Sequence, residues 1–256
     1  MVKTLGTKIE TPNKVIVELR DGAKYQFSKT IQGLVMPEGI NPSEYAMIGS
    51  VRIENGVAVY DASSAISMVQ RFNDKQYLPA HVDVLNIGLF VSTPKQFLPH
   101  VRNVNDALRG KGVLYDAAGN LIEEDRLVRY AHILNHNHWA YHNAGFKEGS
   151  GFLDLDLVTI SGLDDEGNPV KKSVPLESCL EESGWAELES LNSQGFPTRK
   201  ALIEEYAPGK TFYFVKPKKD LVAGSDADGS RLILCCDRSS LGRVSSLGVF
   251  PVFLCW

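Results

Sequence analysis

Four of the six histidines in the chain, His132, His136, His138 and His142, fall within eleven residues. Neutral imidazole nitrogen is a favoured ligand for zinc or iron, and i, i+4 spacing on a helix brings two rings to one ion. A helix is expected from about Glu124 to Asn143, with Gly145 as its stop. On it His132 and His136 lie about 40° apart, as do His138 and His142, while the two pairs are separated by well over about 100°. One continuous helix therefore cannot gather all four. Leu127, Tyr130, Leu134 and Tyr141 centre on one side of this wheel, and Arg129, His132, His136 and Asn143 lie opposite. The first pair is expected in water. His138 and His142 flank the apolar stripe and read as core histidines bonded to backbone carbonyls or, alternatively, as candidate metal ligands, with zinc or iron as the alternative to no cofactor at all. HExxH is absent, no carboxylate sits at a third-ligand spacing, and His136-Asn137-His138 lacks the wide spacing of an HNH nuclease.

Other chemistry is thinner. Asp154 and Asp156 are expected on one strand face, where paired carboxylates hold a hard cation or exchange a proton, or simply face solvent. Ser225-Asp226-Ala227-Asp228-Gly229 has the opening of a calcium loop without its later ligands and reads as a turn. Pro208-Gly209-Lys210-Thr211 has only the tail of a phosphate-binding loop, and neither GxGxxG nor GxSxG occurs. Cys179, Cys235, Cys236 and Cys255 show no CxxC spacing, and the adjacent pair on a strand would face opposite ways. They read as structural thiols of a reducing compartment.

The elements around these residues alternate hairpins with helices. Val15, Val17 and Leu19, the turn Arg20-Asp21-Gly22-Ala23, then Tyr25 and Phe27 make one hairpin. Met47 to Ile53 and Val57 to Tyr60 make a second around Asn55-Gly56. Helices are expected near 63–73, 94–109, 124–143 and 198–206, the second capped by Thr93-Pro94 and broken or kinked at Pro99, with a further short one over Trp185 to Leu191. Val82 to Val91 reads as a central strand and Val113 to Ile122 as a small hairpin. Leu153 to Leu157, Val170 to Val174, Thr211 to Val215, Arg231 to Cys236 and Gly248 to Leu254 read as strands, the last an edge or bulged strand because of Pro251. The fold class is α+β, with antiparallel sheets built from hairpins and several packed helices. Three glycines in Gly145 to Gly151 suggest a boundary between a region 1–147 and a strand-rich region 148–256, the alternative being one continuous domain.

Composition bounds the function. With 43% hydrophobic and 23% charged residues the 256-residue chain is an ordinary globular one. A net charge of −4 supplies no field for phosphate backbones or anionic lipid, so general nucleic-acid and membrane binding are not expected. A local basic patch at Lys216, Lys218 and Lys219 is the one counter-indication. No apolar run reaches membrane-spanning length, and Met1 to Lys14 is too polar for a signal peptide, so a cytoplasmic or virion-associated place is expected.

Ala186-Glu187-Leu188-Glu189-Ser190-Leu191, Gly195-Phe196-Pro197-Thr198-Arg199-Lys200-Ala201-Leu202 and Ser246-Leu247-Gly248-Val249-Phe250-Pro251-Val252-Phe253 resemble the helix, G-x-LPT turn, second helix and terminal strand of C-type-lectin-like domains in bacterial and phage proteins. Phe196 stands where that family usually has Leu, and Phe250 where Arg is common. The resemblance implies a variable ligand-binding surface of virion or cell-surface type.

The sequence thus points first to a non-catalytic binding or assembly protein acting through surface loops on a protein, small ligand or carbohydrate, with oligomers possible. Trp139, Tyr141, Trp185 and Trp256 are candidate interface anchors. The alternative is a metal-dependent hydrolase using His138 and His142, with His81, His100 or Asp154 brought close by folding.

Overall fold

The computed structural model describes residues 9–11, 14–18, 24–54, 57–136, 138–242 and 247–254. Strands β1 (Ile9–Thr11), β2 (Lys14–Glu18) and β3 (Lys24–Ser28) form an antiparallel meander. A long hairpin follows, β4 (Tyr45–Glu54) with β5 (Val57–Ser67). Both expected hairpins are present, although their turns at 19–23 and 55–56 lie outside the described residues, as do residues 1–8, Asn137, Ser246, Cys255 and Trp256. No helix occupies 63–73: β5 runs on to Ser67 because β4 on one side, and the C-terminal strand on the other, supply its backbone partners.

Helix α1 (Tyr77–Asn86) stands where the apolar run suggested a central strand. Tyr77, Ala80, His81 and Val84 are its buried residues, at positions i, i+3, i+4 and i+7, so the helical period decides the segment. Gly88, at φ +74°, turns the chain out of the helix into β6 (Phe90–Val91). Helix α2 (Pro94–Leu108) begins in a capping box, where Gln96 N–H donates to the Thr93 hydroxyl and Thr93 N–H donates to the Gln96 side chain. The helix continues through Pro99.

Helix α3 (Glu124–His136) is shorter than expected, and β7 (His138–Glu148) replaces its second half. Strand β7 is central to a large sheet with the order β10 (Gly184–Glu187), β11 (Thr211–Val215), β13 (Leu232–Arg238), β12 (Val222–Ala227), β7, β8 (Leu155–Leu163), β9 (Pro169–Pro175). Strand β14 (Leu247–Val249) pairs parallel to β7 beyond the end of β8. Strand β15 (Pro251–Leu254) lies between β5 and β6 in a four-stranded sheet, so Pro251 is tolerated as its first residue rather than marking an edge. The outer strand β9 carries Pro169 and Pro175 at its ends with Lys171 and Lys172 between, features that discourage further strand addition.

Two expectations in the C-terminal half fail. Residues 185–191 and 198–206 form no helix: the first contains β10, and the Arg199–Ala201 segment lies antiparallel beside it, with Glu187 N–H donating to Arg199 C=O and Ala201 N–H to Trp185 C=O. Ser225 to Ala227 belong to β12 rather than to a turn. The architecture is mixed α+β with antiparallel and mixed sheets and three α-helices among the described residues.

Even-numbered positions of β7 (Ala140, Ala144, Phe146) enter a core shared with Phe97, Val101 and Val104 of α2 and Leu127, Tyr130 and Leu134 of α3. Tyr141, on the opposite face, packs with Tyr77, Ala80 and Val84 of α1. Helices thus cover both faces of β7, and position 147 falls inside this strand.

Candidate functional site

The histidines divide as the helical wheel divided them, for a different reason. His132 and His136 are exposed on α3, with ring centroids 4.9 Å apart. His138 and His142 are buried on β7, two pleats apart and therefore on one face. His138 Nδ1 lies 3.2 Å from Ile133 C=O, which can only accept, so Nδ1 carries the proton and Nε2 accepts from Ser225 Oγ at 2.9 Å. His142 Nδ1 lies 3.3 Å from Ser92 Oγ, and its Nε2 has no partner among the described residues. Phe97 of α2 sits against both rings, with centroids 5.4 Å from His138 and 4.7 Å from His142.

His81 and His100, suggested as further ligands, lie on α1 and α2. His100 Nε2 meets the Tyr130 hydroxyl at 2.8 Å, and His81 packs edge-on to Tyr77 at 4.5 Å. Burial pushes the pKa of His81, His100 and His142 down to about 3 and that of His138 to about 4. All four imidazoles are neutral core groups near neutral pH. No group of three or more His, Cys, Asp or Glu side chains able to hold a metal ion occurs among the described residues.

Asp154 is not on the strand with Asp156. It closes a short 3-10 turn, Phe152–Asp154, and β8 begins at Leu155. Asp156 accepts from Ser150 N–H at 3.1 Å and the Ser173 hydroxyl at 3.2 Å. Cys236 faces the core and Cys235 the other side, as adjacent strand residues must. Burial holds the Cys179 thiol at a pKa of about 12, an inert packing group. Two of the three lysines of the basic patch are paired, Lys218 with Asp237 at 2.8 Å and Lys219 with Glu148. Tyr141 is buried, while Trp139 is 40% exposed under the Arg238 guanidinium, 5.5 Å from the ring centre. Gly224 makes room for that guanidinium, since a Cβ there would lie 2.6 Å from Arg238 Cδ.

The open surface carries different residues. Leu202 and Ile203, consecutive in the loop after the strand-like Arg199–Ala201 segment, are 95% and 61% exposed. They line a groove of about 660 Å³ together with Ala201, Ala207, Arg199, Lys210, Glu187, Glu189 and Glu205. Arg199 is held by Glu187 at 2.7 Å and by the Ser190 hydroxyl at 2.8 Å. One local signal marks this site, an apolar Leu-Ile pair inside an otherwise polar, acidic stretch, masked by the expectation of a short helix over 198–206.

A second cleft, about 700 Å³, opens between β3, the 31–35 segment and the β4–β5 hairpin. Its floor is Phe27, Met47 and Tyr115, with Tyr60 edge-on to Tyr115 at 5.0 Å and the Tyr115 hydroxyl donating to Ser28 C=O at 2.6 Å. Val35, 88% exposed, stands at its mouth. Both volumes fall within the roughly 300–1,000 Å³ range of ligand clefts. No helix among the described residues is long and apolar enough to cross a membrane. No family model, curated protein or solved structure matches the chain.

Proposed function

We propose that this chain is a non-catalytic recognition or assembly protein that binds through loop-built grooves on its surface. The observation that carries the reading is the consecutive exposure of Leu202 and Ile203 at the lip of a groove. Large aliphatic side chains left in water forgo roughly 1.5–3 kcal/mol each, which a partner recovers by covering them. The imidazoles that suggested chemistry are held instead by Ser225, Ile133, Ser92, Tyr130 and Phe97 in the core. The reading rests on the groove alone, because the two helices on which the C-type-lectin-like resemblance drew are not formed over 185–191 and 198–206.

Elemental analysis of the purified protein, run beside binding to peptide and glycan arrays, tests the reading. Specific array binding without stoichiometric metal is the expected outcome. Stoichiometric zinc, iron or manganese that is lost in a folded His142→Gln variant would replace it with the metal-dependent hydrolase.

A further inference from the structure

The charges around the Leu202–Ile203 groove give it a sign. Glu187, Glu189 and Glu205 line it against Arg199 and Lys210, and the exposed Glu204 adjoins them in the loop. Arg199 is already paired with Glu187 at 2.7 Å, and the neighbouring Lys200 with Glu182 at 2.9 Å. Glu204 and Glu205 form no ion pair within 4 Å among the described residues, although Glu204 bears electrostatically on Lys200; Lys210 is the one groove cation likewise without such a pair, so the carboxylates remain in excess. The lip is therefore apolar at its tip and carries an acidic surplus beside it. A polyanion or an acidic peptide would meet like charge there. A second copy docked with the two-fold axis passing at Glu204 and Glu205 would set these carboxylates against their own counterparts.

We infer that this groove receives a segment of another protein in which apolar side chains alternate with Lys or Arg. The apolar side chains cover Leu202 and Ile203 against Ala201 and Ala207, and the cations complement Glu204 and Glu205. Charge complementarity of this kind sets partner choice and encounter rate, while the buried aliphatic pair supplies most of the affinity. The inference rests on the recognition reading above and narrows it to one partner chemistry.

Fluorescence anisotropy with three labelled seven-residue peptides tests it on the full chain. The probes alternate Lys with Leu, Glu with Leu, and Lys with Gly. The Lys-Leu peptide is expected to bind tightest, to weaken as salt rises, and to lose about tenfold or more in affinity to the Leu202→Ser/Ile203→Ser variant. A Glu204→Lys/Glu205→Lys variant is expected to reverse the preference toward the Glu-Leu peptide. All four positions are exposed loop residues, so the variants keep the fold, and circular dichroism checks this. Equal binding of the three probes, no binding of any, or undiminished binding by Leu202→Ser/Ile203→Ser would overturn the inference. So would a concentration-dependent dimer lost in that variant, because a second copy would then cover the face. A glycan or acidic ligand captured on the arrays, with these probes silent, would leave the recognition reading standing and this inference refuted.

Discussion

Asn105 of α2 and Asn135 of α3 face each other as two buried side-chain amides, each donating to the other's carbonyl oxygen over 3.2 Å. Each also donates to the backbone carbonyl four residues earlier in its own helix, Val101 for Asn105 and Ala131 for Asn135. The Tyr206 hydroxyl donates a further bond to Asn135 Oδ1, at 2.8 Å. The clasp fixes the register of the two helices that cover one face of β7, and it ties the groove-bearing loop region to them through Tyr206.

Breaking one half of the clasp leaves its partner buried and unsatisfied. Asn135→Ala is expected to lower stability by about 2–4 kcal/mol, and Tyr206→Phe by about 1 kcal/mol. A double replacement with Leu at 105 and 135 is expected to cost less than the sum of the single Ala variants, since neither amide is then left facing an absent partner and only the Tyr206 hydroxyl loses its bond. Urea denaturation of the set reads the coupling.

Acid should destabilise the fold through its core histidines. His81, His100, His138 and His142 have pKa values pushed down by burial to between about 3 and about 4, against 6.5 when unfolded. The unfolded chain therefore binds more protons below pH 6.5, so their stabilising contribution is complete above that value and drains as pH falls toward 4. At pH 5 each imidazole has withdrawn roughly 2 kcal/mol, and four together rival the whole stability of an ordinary domain. Of the groups that bear on the buried rings, the Ile133 C=O favours charge on His138 and Ser92 favours it on His142, but burial outweighs both; Ser225, Tyr77 and Tyr130 are neutral, and Arg238 disfavours charge on His138 and His142. Chemical denaturation from pH 8 to pH 4.5 should show a steep loss beginning near pH 6.5. His100→Gln should flatten it by about one proton, and an unchanged slope in that variant would remove His100 from the account.

Asn143 takes the place of a strand partner. Its Oδ1 accepts from Ile160 N–H at 2.7 Å and its Nδ2 donates to Ile160 C=O at 2.8 Å, beyond the point where the β7–β8 pairing stops. Asn143→Ala leaves both backbone groups of a buried residue unpaired, a loss of about 2–4 kcal/mol. Hydrogen exchange should show the Ile160 amide losing protection before its neighbours in β8.

Gly195 lets the 192–197 turn close on the start of α2. Its φ is +92°, and a Cβ there would run into the Lys95 backbone nitrogen. Gly195→Ala is therefore expected to destabilise by about 2 kcal/mol or more, combining left-handed strain with a backbone clash. Thermal melting compared with Gly167→Ala, where φ is +83° but nothing lies within 4 Å, separates the clash from the strain alone.

Hairpins were the legible part of the sequence. Alternation around Gly and Asn turns located β2–β3, β4–β5 and β8–β9, and Thr93-Pro94 located the start of α2, because turn and cap chemistry are local. Val82 to Val91 reads as one strand but is helix to Asn86 and strand only at Phe90–Val91, since a dense apolar run satisfies both periods and only the faces of α1 and β6 that became buried separate them. The histidine segment was misread for a related reason. Asn137 is a residue type that commonly ends helices, yet His138 to Asn143 carry no strong local preference of their own.

The sequence by itself determined the hairpins, the class and the division of the histidines into an exposed pair and a buried pair. The tertiary structure decided that the buried pair sits on a strand, because β12 and β14 on either edge of β7 supply the backbone partners that a continued helix would have kept for itself. It also decided where the apolar surface lies. Leu202 and Ile203 are exposed because the chain before them is spent beside β10, and no local pattern records which loop a distant strand will hold at the surface.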